Sequence, residues 1–230
     1  MTPVPPSASP PAASPAAAAP TPPTISVAAA VDRATAMAES GERLILGIAG
    51  CPGGGKSTLA TQVVNALGPA RAALVPMDGF HLANSTLVAL DRRDRKGAPD
   101  TFDAAGYVAL LSRLASGDET DIVYAPEFRR GLGEPIAGAI AVSPDIPLIV
   151  TEGNYLLYDR GAWGNVEEWL HECWYVDVDD DLRLKRLIAR HVHFGKSAEE
   201  AHEWVMRSDE ANAALVRKTR HRADYHIAIE

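Results

Sequence analysis

Residues 44–59 read LILGIAGCPGGGKSTL. Leu44, Ile45, Leu46 and Ile48 form an apolar run, a glycine-rich turn follows, and Leu59, Val63 and Leu67 then recur at helical spacing. The pattern predicts a buried strand, a tight loop and a helix. Gly50, Gly55, Lys56 and Ser57 stand at the spacing G-x-x-x-x-G-K-S, the phosphate-binding P-loop. Glycines let the backbone turn around an anion so that successive N–H groups point inward, and the helix adds the positive end of its dipole. The expected phosphate cradle is Gly50, Pro52, Gly53, Gly54, Gly55, Lys56, Ser57 and Thr58. Lys56 reaches the outer phosphates, and the Ser57 hydroxyl joins a magnesium shell. The stretch therefore predicts a nucleoside triphosphate site.

Working outward, 230 residues suffice for one α/β domain. A net charge of -8 argues against a global nucleic-acid footprint. No apolar stretch approaches membrane-spanning length. Two cysteines, Cys51 and Cys173, suggest neither a disulfide framework nor a zinc site. These features predict a cytoplasmic protein without nucleic-acid or membrane partners. Residues 1–24 hold nine of the 17 prolines and no charge, so they are expected to form a disordered tail ahead of a folded domain at 25–230.

Within that domain Ile25 to Ser40 reads as a helix stopped by Gly41. Ala72 to Met77 is a second buried strand and ends at Asp78. Ligands of parallel sheets bind beyond the carboxyl ends of strands, so Asp78 belongs near the phosphates. A carboxylate there accepts a proton from an attacking hydroxyl or holds a metal-bound water; it could instead cap the next helix. Residues 91–103 form a charged loop, in which Arg92, Arg93, Arg95 and Lys96 either face solvent, meet an anionic substrate or cover the site. Asp103 caps a helix to about Leu114. A short strand at Ile122 to Tyr124 precedes an irregular excursion with a hairpin. Pro147 to Thr151 is a third buried strand, ending in Glu152 as a Walker B acid that orders magnesium. Cys173 to Val178 is a fourth strand. In the next helix Arg183, Arg186 and Arg190 share one face, the pattern of a lid that neutralises a transferring phosphoryl group. His191 and His193 read as lid or solvent residues, since no partner ligands lie nearby. Ser197 and Glu200 form a capping box, Asn212 to Arg222 is helical, and ADYHIAI is a final strand.

GIAGCPGGGKSTLA, VPMDGFH, RKGAPDTFDAAGY, EPIAGAIAV, VTEGNYLL and NAALVRKTRHRAD together resemble the uridine kinase, pantothenate kinase and phosphoribulokinase superfamily. The branch they are most similar to is a bacterial nucleoside/nucleotide kinase family that includes proteins labelled fructose transport system kinases. The resemblance runs from about Leu44 to the end. It implies a three-layer P-loop NTPase fold, with a parallel five-stranded sheet flanked by helices and an arginine-bearing lid. It implies ATP and Mg²⁺ as cofactors, Asp78 as catalytic base beside Lys56, and Glu152 with Ser57 at the metal. Arg186 would contact phosphates, with Arg190 as a second such residue. Asn212 takes the place that reaches the acceptor, and Arg220 lies where the C-terminal segment passes the adenine. His81, Lys96, Phe128 and Tyr155 complete the expected acceptor set. Dimers occur in the superfamily, so a homodimer is allowed. Where uridine kinases carry an aromatic residue and an aspartate, this chain has Phe128-Arg129.

The implied function is an ATP-dependent kinase that transfers the γ-phosphate to a hydroxyl of a nucleoside, sugar or pantothenate-like alcohol. A regulatory NTPase without a small acceptor would be expected to carry a guanine-reading N-K-x-D or an ABC-type signature, and neither occurs. It would also leave Asp78 and the lid arginines without a purpose. A scaffold that has lost catalysis does not fit intact Lys56, Ser57, Asp78 and Glu152.

Overall fold

The structure, a computed structural model, describes residues 21–116 and 121–229. A short strand β1 (Thr24–Ile25) leads into helix α1 (Val27–Ala38), where the Ser26 side chain accepts a hydrogen bond from the Ala29 amide at 3.2 Å. The P-loop unit follows as β2 (Leu44–Gly50) and α2 (Lys56–Leu67), then β3 (Ala72–Leu74). Helices α3 (Asn84–Ala89) and α4 (Ala104–Ala115) precede a hairpin of β4 (Val123–Arg129) and β5 (Glu134–Val142). Strands β6 (Leu148–Gly153) and β7 (Glu172–Asp177) come next. The chain closes with α5 (Asp180–His193), α6 (Ala198–Trp204), α7 (Glu210–Arg217) and β8 (Tyr225–Ala228).

Among the described residues the main sheet has six strands in the order β1-β8-β7-β2-β6-β3, all parallel. Every residue of β2 and β6 is buried, as expected for central parallel strands covered on both faces. The pleat divides β2 between two cores. Leu44, Leu46 and Ile48 pack with α1 and α2, while Ile45 and Ala49 pack with α4 and the segment around Tyr155 and Trp163. The P-loop leaves the central strand between neighbours reached in opposite directions, where a doubly wound sheet opens a crevice.

The sheet exceeds the expected five strands because β1 adds an edge to β8. Pro23's carbonyl accepts from the His226 amide at 2.9 Å, and Ile25 packs against the α1–α2 core. The expected tail boundary at 24/25 therefore falls inside a strand. Residues 1–20 of that expected tail lie outside the described residues. β3 stops at Leu74 rather than Met77, because Pro76 has no N–H to continue the ladder and Met77–Phe80 turns as a 3₁₀ helix. The excursion after the short strand is more regular than expected. β4 and β5 form their own antiparallel ribbon, whose register shifts between Ala125 and Glu127, around Pro126.

Candidate active site

Glu152 sits at the end of β6, and Asp78 in the 3₁₀ turn that follows β3. Thr151 Oγ1 donates to the Val75 carbonyl at 2.6 Å, and Tyr107's hydroxyl sits 2.6 Å from that same oxygen. A carbonyl only accepts, so Thr151 spends its proton there and Tyr107 is the donor to Thr151. This buried chain ties α4, β6 and the segment leading to Asp78. Burial pushes the Tyr107 phenol far above its ordinary pKa, which keeps it a donor. Gly79 then lets the Asp78 turn press against the hairpin. A Cβ on Gly79 would lie 2.2 Å from the Pro126 carbonyl oxygen.

The P-loop faces these acids. Gly55 adopts φ 94°, a left-handed conformation that side chains resist, and starts α2 directly beneath the loop. The Gly54 amide donates to the Cys51 carbonyl at 3.0 Å, closing the turn. Lys56 is buried and donates to the Cys51 carbonyl at 3.0 Å and to Asn154 Oδ1 at 2.7 Å. The Ser57 hydroxyl donates to Glu152 Oε1 at 2.8 Å.

These groups line one cavity of about 720 Å³, the size of a cofactor-plus-substrate pocket. Of the expected cradle, Pro52, Gly53, Gly55, Lys56, Ser57 and Thr58 line it. Asp78, Glu152, Arg186 and Arg190 line it too, and so do His81, Lys96, Phe128 and Asn212. Four expected residues do not. Gly50 and Gly54 shape the loop from behind. Tyr155 is fully buried and donates to the Gly97 carbonyl at 2.6 Å, so it fastens the loop carrying Lys96 from within the core. Arg220 pairs with Asp177 in a separate hollow of about 290 Å³ that also contains Cys51 and Tyr175.

The arginine helix divides its labour. Arg183 is not a lid residue: its side chain is 1% exposed. It donates to Asp180 at 2.8 Å, to the Pro52 carbonyl at 3.3 Å and to Glu210. Those bonds join α5, the P-loop and α7. Arg186 and Arg190 alone turn to the cavity, with Arg186 Nη1 3.9 Å from where a Gly55 Cβ would sit. His191 also lines the cavity and lies 2.8 Å from Asp209, which a π-helical turn at Val205–Asp209 brings inward. Among the described residues no group of three or more His, Cys, Asp or Glu is placed to hold a metal.

Burial opposes ionisation of Asp78, but the cationic form of His81 and the charges of Arg130, Lys56 and Arg190 outweigh it and hold the carboxyl below its ordinary range. Glu152 goes the other way, raised by burial and by Asp78's negative charge. Burial lowers Lys56 against the pull of Glu152 and Asp78. Burial likewise lowers His81, which is stacked between Phe102 at 4.0 Å and Phe128 at 4.6 Å. Its Nδ1 lies 2.8 Å from the Asp78 carbonyl, which only accepts, so Nδ1 carries the proton. Arg190, half-hidden in the cavity, is lowered by burial and by Arg130.

Sequence reasoning missed Arg130, Asn154, Asp209 and Trp204, all of which line the cavity. Asn154 stands two residues past Glu152, at the end of a strand whose importance was already evident. Arg130 stands in the hairpin turn, where it donates to Asp78 Oδ2 at 3.2 Å, and no local motif marks it.

A glycine loop and lysine between a central parallel strand and its helix, an acid at the end of one neighbouring strand and another just past the next, and lid arginines define a P-loop kinase. The profile described as "Phosphoribulokinase / Uridine kinase family" matches residues 45–229, and the chain belongs to that family. A candidate uridine kinase of Schizosaccharomyces pombe is 32% identical over 197 residues, spanning 81% of this chain and 83% of that protein. The uncharacterised protein YggC of Escherichia coli is 33% identical over 178 residues, 76% of this chain and 73% of its own length. A candidate fructose transport system kinase from Silicibacter sp. TM1040 superposes with a TM-score of 0.78 at 32% identity, covering 88% of this chain and 98% of that one. Among the described residues no helix is long and apolar enough to cross a membrane.

Proposed function

We propose that this protein is an ATP-dependent kinase that transfers the γ-phosphate to a hydroxyl of a small molecule. One observation supports the reading above the rest: Asp78 shares a cavity with Lys56 and the P-loop while its carboxyl is held ionised. A kinase needs a group to orient the acceptor hydroxyl and take its proton, and an ionised Asp78 can serve as that group. The P-loop amides and Lys56 hold the outer phosphates. Arg186 and Arg190 bind the charge that spreads over the transferred group and help exclude water. Asp78 accepts the hydroxyl proton. His81, Phe128 and Asn212 wall the acceptor.

Magnesium suits the donors present. Ser57 offers a hydroxyl and Glu152 a carboxylate in mutual contact, and magnesium is commonly held by one or two protein oxygens together with substrate phosphates. When bound, the ion neutralises phosphate charge. ATP as the donor and an alcohol as the acceptor follow the family, several of whose members are named ATP-dependent kinases.

The test is ADP release from Mg-ATP with uridine, cytidine, pantothenate, fructose, ribose or ribulose 5-phosphate, with Asp78→Asn as the blank. Stimulation by one acceptor, absent in the variant, is expected. Steady hydrolysis indifferent to every acceptor and to Asp78 would overturn the reading in favour of a regulatory NTPase.

A further inference from the structure

Resting on that reading, we infer that the acceptor carries a negative charge, a carboxylate or phosphate, and that Arg130 is the residue that recognises it. Beyond the P-loop and α5, the cavity wall carries further cations. Arg93, Lys96 and Arg130 all line it, while Asp78 is the acid that faces Arg130 there. Two of the three cations are differently occupied. The Lys96 ammonium is spent on Asn84 Oδ1 at 2.8 Å and the Gly133 carbonyl at 2.6 Å, lies 5.1 Å from the Phe128 ring centre, and feels Glu134. It anchors the hairpin turn. Arg93 stands at the exposed mouth. Arg130 is the cation in contact with Asp78.

That contact presents a chemical difficulty whose resolution indicates the substrate. A guanidinium hydrogen-bonded to Asp78 Oδ2 takes one of the carboxylate's acceptor positions and lowers its basicity. Asp78 becomes the stronger base when Arg130 leaves it. Its side chain is 41% exposed and sits in the turn between β4 and β5, so it is free to swing. A neutral alcohol offers nothing that competes with a carboxylate for a guanidinium. An anionic group does, with the same fork geometry. The acceptor's charge thus performs two tasks: it is bound by Arg130, and it frees the base. Arg129, next to it, is taken by Glu127 at 3.3 Å and does not line the cavity.

The probes are acceptors matched in all but charge: glycerate and glycerol, pantothenate and panthenol, ribulose 5-phosphate and ribulose, fructose 6-phosphate and fructose. Binding to the full chain saturated with Mg-ADP is followed by titration calorimetry, in wild type, Arg130→Gln, Arg129→Gln and Asp78→Asn, each checked for an unchanged melting curve. In at least one pair the anion is expected to bind about 10- to 100-fold more tightly than its neutral partner. Arg130→Gln should erase most of that preference and Arg129→Gln should keep it. Asp78→Asn, which removes the competitor for Arg130, should tighten the anion several-fold while abolishing transfer. The inference is overturned if no anion binds, if neutral partners bind as tightly, or if the preference survives in Arg130→Gln. A neutral alcohol that accepts phosphate efficiently would sink the charge requirement and keep the kinase. An anion bound through Arg130 that never receives phosphate would sink the kinase and keep the anion site.

Discussion

Asp78 answers to two opposed demands. It has to remain ionised to receive a proton, yet every cation that keeps it ionised also weakens it as a base. With Arg130 in place the carboxyl is held below its ordinary range, so the limb of kcat/KM that reports Asp78 is expected on the acid side of an ordinary carboxylate's. In Arg130→Gln a positive neighbour is lost, the ionised form is less favoured, and the limb should move to higher pH. A pH-rate profile with the variant's limb unmoved, or moved lower, would separate Arg130 from Asp78. Asp78→Asn keeps the shape and loses the proton acceptor. A fall in kcat of about 10²- to 10⁴-fold with nucleotide affinity retained is the expected result. Single-turnover assays beside nucleotide titrations check it.

At the scale of elements, the site depends on how pieces distant in sequence are fastened. Arg183 shows what spacing conveys and what it omits. The i, i+3, i+7 pattern correctly put three arginines on neighbouring turns of α5, but not which part of that stripe faces the nucleotide and which is sunk against Pro52 and Glu210. Arg183→Ala removes a buried fork while leaving Asp180 and Glu210 access to water, so the cost should be about 2 kcal/mol. That corresponds to a melting temperature lower by roughly 4–8 °C in a domain of this size, read by calorimetry. Gly79→Ala is a sharper test of the Asp78 turn. The clash is with backbone, at the Pro126 carbonyl, so the turn and hairpin have to separate. Turnover should fall at least about 10-fold even where the fold persists, since small displacements of a reacting group are costly. An active, fully stable Gly79→Ala enzyme would contradict the close packing as a positioning device.

The same scale explains what the sequence conveyed. Lys56, Ser57, Asp78 and Glu152 were legible because each sits in, or one step past, a short apolar run whose strand end points at the crevice. Arg130 and Asp209 reach the cavity only through a hairpin and a π-helical turn, and Trp204 from the end of α6, whose placement depends on contacts far along the chain. Tyr155 was misjudged for a related reason. It belonged to the expected acceptor set, but the chain turns inward there and its hydroxyl supports the Lys96 loop from the core.

For the molecule as a whole, charge and edges are the informative features. The chain carries a net -8, yet its main cavity is lined by guanidinium and ammonium groups, so the acidic surface surrounds a basic opening. At the sheet's margin, β1 covers the outer side of β8 through the Pro23 and His226 bond and the Ile25 contact. Removing residues through Ile25 while keeping the Ser26 cap should cost about 1–2 kcal/mol, seen as a melting temperature lower by a few degrees with activity little changed. No shift would show that β8 needs no such neighbour.

The β4–β5 ribbon hydrogen-bonds along its length to itself and stands apart from the six-stranded sheet. It nonetheless delivers Phe128 and Arg130 to the reaction cavity. The phosphate machinery and this part of the acceptor-facing wall are thereby written in separate parts of the gene. A lineage can rewrite the ribbon's side chains while its backbone contact at Gly79 and Pro126 is kept, much as a tool keeps its handle while its bit is exchanged. Grafting the ribbon from a relative onto this scaffold should transplant that relative's choice of acceptor and leave nucleotide handling with the host.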